Sequence, residues 1–103
     1  MRAGEYGVVC RINCAFDLTG ATNFVLHVVR PDGTEFDVDH DRFTVGATDV
    51  STELGTFTAG EYVSFTTADG EFALAGDYDL ELVVDFGATK QLRTVHEILT
   101  VDE

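Results

Sequence analysis

Between Leu74 and Phe86 the chain alternates with a period of two, entered through Gly76 with a tyrosine two residues later. Tyr78, Leu80, Leu82, Val84 and Phe86 fall on one side of an extended strand. Asp77, Asp79, Glu81 and Asp85 fall on the other, and Val83 alone breaks the pattern. A helix would scatter the acids into a core, so the segment predicts a strand with one face buried and the other in water. Burying five such side chains contributes on the order of 10 kcal/mol before entropy, at roughly 1.5–3 kcal/mol each.

The same period recurs along the chain. From Tyr6 to Leu18 every even position is apolar or aromatic, which predicts one long half-buried strand. Asp17 to Thr22 supplies turn chemistry, after which Phe24, Leu26 and Val28 face inward on a second strand. Pro31-Asp32-Gly33 closes it, because proline presets the first turn angle and glycine accepts positive φ. Phe36 and Val38 mark a third strand over 35–39, and Phe43 and Val45 read as its continuation beyond an irregular His40-Asp41-Arg42. The threonine-rich stretch 46–60 predicts short edge strands around Val50 and Phe57. Val63 and Phe65 mark the next strand, and 67–74 reads as a short turn of helix ended by Gly76. Gly87-Ala88 predicts a tight hairpin into a last strand over 90–101. There the apolar parity changes from even at Leu92 to odd at Val95, Leu99 and Val101, which predicts a bulge. About seven strands and no long helix point to an all-β, antiparallel β-sandwich.

The chain of 103 residues suits a single domain, 1–103, with residues 1–5 as a flexible N-terminal tail. Its 6 basic and 19 acidic residues give a net charge of -13, which repels phosphate backbones and anionic lipid and so argues against nucleic-acid or membrane partners. Solubility or a salt-rich milieu accounts for such acidity, and so does matching to a basic partner. No apolar signal segment opens the chain and no run of 18 apolar residues occurs, so the expected site of synthesis is the cytoplasm, without secretion by a signal peptide. Cys10 and Cys14 would lie about 13 Å apart on a strand, beyond disulfide reach, and share the inward parity of Val8, Ile12 and Phe16. Buried free thiols are the expectation.

Gly76-Asp77-Tyr78-Asp79-Leu80 has the spacing of the tyrosine corner that opens strand F of immunoglobulin-like sandwiches, which makes Gly76 and Tyr78 the candidate structural residues. Taken with Asp17-Leu18-Thr19-Gly20-Ala21-Thr22 and Arg30-Pro31-Asp32-Gly33, in that order and spacing, this segment resembles the immunoglobulin-like N-terminal domain of phage baseplate upper proteins and related virion structural proteins. The resemblance covers roughly residues 6–101. It implies a non-enzymatic bacteriophage virion part, mounted on capsid as decoration or cement, or on tail or baseplate, by contacts with other virion proteins and oligomeric in the particle. In baseplate proteins of that family the domain heads a longer chain, whereas this sequence stops at Glu103. The alternative reading is a cytosolic or salt-adapted protein-binding module of a larger, non-viral assembly.

Candidate chemistry is sparse. Asp37-x-Asp39-x-Asp41 has the opening of a calcium loop, but Arg42 stands where such a loop needs glycine and Thr48 where it needs glutamate. These three aspartates are the candidate metal ligands, and the expectation is no metal and no cofactor. They and Glu35 otherwise read as a solvated strand face relieved by His40 and Arg42, and Asp77, Asp79, Glu81 and Asp85 as a second acidic row. His27, His40 and His96 have no metal-ligand spacing and read as surface residues. No nucleophile elbow or phosphate loop is present, so no catalytic residue is named. The candidate interface residues are Val50 and Phe57 in the weakly patterned segment and Val95 and Leu99 in the last strand, joined by residues 1–5, because edges and tails add to a neighbour's sheet.

Overall fold

A computed structural model describes residues 1–53, 55–87 and 92–103. The chain is an antiparallel β-sandwich. Its nine strands among the described residues are β1 (Val9–Asn13), β2 (Asn23–Val29), β3 (Glu35–Val38), β4 (Thr44–Val45), β5 (Val50–Thr52), β6 (Gly55–Phe57), β7 (Tyr62–Thr66), β8 (Gly76–Asp85) and β9 (Leu92–Val101). One sheet has the order β1-β7-β4, the other β3-β2-β8-β9, and β5-β6 is a separate hairpin. About seven strands were expected; the two sheets hold seven, counting β4 as a strand of its own, and the β5-β6 hairpin adds two more. The two sheets correspond to B-E-D and C′-C-F-G of an immunoglobulin arrangement, with β8 in the place of strand F.

The alternation read from β8 holds. Tyr78, Leu80, Leu82 and Val84 are buried, and they meet Leu26 and Val28 of β2 beside them and Ile12, Val63 and Phe65 from the other sheet in one core. The tyrosine corner is formed: the Tyr78 hydroxyl donates to the Leu74 carbonyl at 2.8 Å and accepts from the Leu74 N–H at 3.1 Å, with the ring fully buried. Gly76 has φ +125°, and a Cβ there would stand 2.9 Å from Pro31 Cγ, so the turn after β2 packs against the start of β8 only because residue 76 lacks a side chain. The Pro31-Asp32-Gly33 turn closes as expected, with Gly33 N–H bonded to the Arg30 carbonyl and Asp32 accepting from Thr34.

Four expectations about strands and turns are corrected. The first strand is shorter than 6–18, because the backbone turns at Ala15, which adopts φ +61° and is held by Asn13 Oδ1. Leu18 still reaches the core, whereas Tyr6 is 62% exposed. Phe43 and Val45 do not prolong β3. A single 3-10 turn, His40–Arg42, carries the chain across to the other sheet, where β4 pairs with β7. Residues 67–74 form successive turns through Gly70 rather than a turn of helix, and they lower Phe72 onto the Tyr78 ring at 4.9 Å. The bulge in β9 is absent: pairing with β8 runs unbroken from Gly76↔Val101 to Asp85↔Leu92. Leu92 is an exposed apolar residue, 63% accessible, and surfaces tolerate these singly. Ala88 of the expected hairpin and the first residues expected in the last strand, Lys90 and Gln91, lie outside the described residues.

Residues 1–5, expected as a flexible tail, are tied to the body. Arg2 forms a parallel bridge to Asp102, Ala3 N–H bonds to the Asp102 carbonyl, and Gly4 N–H bonds to the Phe72 carbonyl.

Candidate functional site: an acidic sheet face and an edge groove

The two acidic rows converge on one surface. Odd residues of β2, β3 and β8 and even residues of β9 point away from the core, so the outer face of the four-stranded sheet carries Glu35, Asp37, Asp77, Asp79, Glu81 and Asp85. Strand register sets Asp37, His27, Glu81 and His96 side by side across β3, β2, β8 and β9. His27 is clasped between Asp37, 2.7 Å from Nδ1, and Glu35, 2.5 Å from Nε2, and His96 lies 3.5 Å from Glu81. Hydrogen bonding to Asp37 and then to Glu35 raises the His27 pKa. His27 therefore holds a proton above the usual histidine range and offsets part of the repulsion on this face.

The two groups expected to relieve the acids, His40 and Arg42, work elsewhere. His40 stacks on Phe24 with ring centroids 5.5 Å apart, and its Nδ1 accepts from the Phe24 N–H. Arg42 makes a two-pronged ion pair with Glu71 and donates to the Thr66 carbonyl at 2.8 Å, tying the sheet-crossing turn to the 67–74 segment. Its partners, Glu71 above all, raise the Arg42 pKa, and Glu71 is lowered despite its burial. Of the candidate metal ligands, Asp37 is engaged by His27, while Asp39 and Asp41 stand at and within the 3-10 turn. Among the described residues no three His, Cys, Asp or Glu side chains are grouped to hold a metal ion. Cys14 is buried and Cys10 partly so, and burial pushes both thiols up to about 11, which leaves them poor nucleophiles at neutral pH.

The second feature is a groove of about 680 Å³ between β1 and β9, lined also by Met1 and by the β5-β6 hairpin. Two of the four interface candidates, Phe57 and Leu99, line it. Val50 pairs directly with Phe57 on the hairpin, and Val95 lies against the core two positions from Glu97.

Glu97 is the residue that pattern reading passed over. It shares the inward parity of Val95, Leu99 and Val101 and stands opposite Leu80, so an acid occupies a core-facing position at the groove floor. The signal was present in the sequence as a lone carboxylate inside an apolar series. Loss of solvent raises the Glu97 pKa, opposed by a hydrogen bond from the Asn13 backbone. Because the folded value lies above the unfolded one, ionised Glu97 weakens the fold at neutral pH, and the penalty fades as pH falls into the ordinary glutamate range. Glu97→Gln is expected to stabilise the protein at pH 7 by no more than about 1 kcal/mol, since its partial exposure lets solvent screen the charge. Urea denaturation at pH 7 and at acid pH checks this, and a gain that persists unchanged in acid would contradict it.

Comparisons with known families, with curated proteins and with solved structures return no match to this chain.

Proposed function

We propose that this chain is a non-enzymatic structural module of a bacteriophage particle, mounted on capsid or tail through protein–protein contacts. The observation that carries the docking part is the groove between two sheet edges, which gathers apolar side chains from β1, β6 and β9 beside the carboxylates of Glu53 and Glu97. The acidic outer face supports a basic partner surface, since like charge discourages contact with other acidic chains and with nucleic acid. The virion part rests on the three turn motifs, whose residues stand at sandwich corners: Asp17–Thr22 before β2, Arg30–Gly33 between β2 and β3, and Leu74–Tyr78 at the tyrosine corner.

Quantitative mass spectrometry of purified particles tests the reading. The expected result is a fixed stoichiometry with the major capsid or tail protein, and electron cryomicroscopy of the same particles then locates the mounting. Absence from particles, with the chain free in the lysate, would overturn the virion assignment and leave a binding module of another assembly.

A further inference from the structure

In a complete immunoglobulin sandwich the B-E-D sheet continues through strand A on the outer side of strand B. Here β1 stands in the place of strand B, and among the described residues its only sheet neighbour is β7. The direction of its unused backbone groups follows from the register. Val8 accepts from the Thr67 N–H and Cys14 donates to the Glu61 carbonyl, both in line with the β1–β7 pairing. Antiparallel bonding alternates, so the even residues of β1 bond to β7. Val9, Arg11 and Asn13 therefore point their N–H and C=O groups into the groove.

We propose that the groove receives an extended segment of a basic partner protein, which adds as a strand to the free edge of β1 and sets a lysine or arginine against Glu97. The proposal rests on the docking reading only in taking the groove as an interface. The five residues of β1 match the length of an ordinary strand, about five to six residues. A backbone carbonyl of the added strand takes the Asn13 N–H, and the Glu97 carboxylate on the same groove meets the incoming cation. Apolar side chains of the segment lie between Leu99 and Phe57. Charge selects the occupant. The lining sets Glu53 and Glu97 against Arg11 and the Met1 ammonium, so the chain's overall charge of -13 does the selecting: it draws a basic segment, and a second copy of this chain would bring another 13 negative charges.

The test uses the intact protein and a synthetic peptide of alternating valine and threonine, about ten residues long, with one central lysine. Its counterparts carry central glutamate, or N-methylated backbone with unchanged side chains. The lysine peptide is expected to move amide resonances over 8–13 and 95–99, to slow exchange at Val9 and Arg11, and to bind about tenfold tighter than the glutamate peptide. N-methylation abolishes binding without altering the protein. Arg11→Pro abolishes it too, because proline is tolerated at an edge whose N–H faces away from the neighbouring strand. Glu97→Gln keeps binding but brings the two peptides within about twofold of each other.

No binding at millimolar peptide overturns the proposal, as do resonance changes centred on the outer face of the four-stranded sheet, indifference to N-methylation, or self-association through the groove. Peptide binding by a chain absent from particles would remove the virion reading and leave this one standing. The converse outcome would do the reverse.

Discussion

Gly46→Ala is expected to destabilise the fold by about 3–5 kcal/mol, the cost of emptying a buried aromatic site. A Cβ at residue 46 would stand 2.0 Å from Cζ and 2.1 Å from Cε1 of Tyr62, far inside any allowed contact. The backbone has little room to retreat, since Gly46 N–H donates to the Tyr62 carbonyl at 2.9 Å and its carbonyl accepts from Gly60 N–H at 2.8 Å. The ring must move instead. It is 5% exposed, its hydroxyl donates to the Thr48 carbonyl at 2.8 Å, and Phe57 packs edge-on at 5.6 Å. Displacing it loses all three and loosens the hairpin that lines the groove. Urea unfolding gives the magnitude, and the double substitution with Tyr62→Ala identifies the cause. Once the ring is gone the added methyl has nothing to strike, so the two losses should fall well short of adding. A loss below about 1 kcal/mol, or full additivity, would rule out this account.

Gly46 also marks a boundary of what was legible. The features read correctly were local: the alternation of β8, the inward sets of β2 and β7, the Pro31-Asp32-Gly33 turn, and a tyrosine four residues after the backbone it bonds. Each depends on spacing within a few residues, and spacing is what a sequence displays. Gly46 lies in the weakest pattern of the chain, and its role comes from a ring sixteen residues away.

The change of sheet after β3 was hidden for a related reason. Phe43 and Val45 keep apolar alternation whichever sheet they join, and the choice is made by His40 stacking on Phe24, by Phe43 against Phe65 at 5.4 Å, and by Arg42 reaching Glu71. Leu92 misled in the opposite sense. Counted as inward, it required a bulge, whereas an exposed leucine on a continuous strand needs no compensation.

The candidate site divides along the same line. That the acids would form rows was visible from their period, but their gathering on one face required the strand order β3-β2-β8, which brings His27 between them. Phe57 and Leu99 were marked on edge and parity grounds. What joins them is the open edge of β1, and that follows from the absence of a further strand beside it among the described residues.

Tyr78 carries the second large effect, and two substitutions separate its parts. Tyr78→Ala removes a fully buried ring packed 4.9 Å from Phe72, and is expected to cost about 3–5 kcal/mol. Tyr78→Phe keeps the ring and removes the hydroxyl that both donates to and accepts from Leu74, leaving one N–H and one carbonyl to find water. Leu74 is 38% exposed, so water reaches part of that site and the expected loss is about 1–2 kcal/mol. The gap between the two variants measures ring burial, and the smaller loss measures the corner bonds. The corner also sets where β8 begins, since Gly76 must pass close to Pro31 two residues earlier. If the hydroxyl holds that geometry, Tyr78→Phe should speed amide exchange over 74–77 while leaving β1 and β9 unchanged. A phenylalanine variant as stable as the parent, with unaltered exchange at 74–77, would reduce the tyrosine corner here to a matter of packing alone.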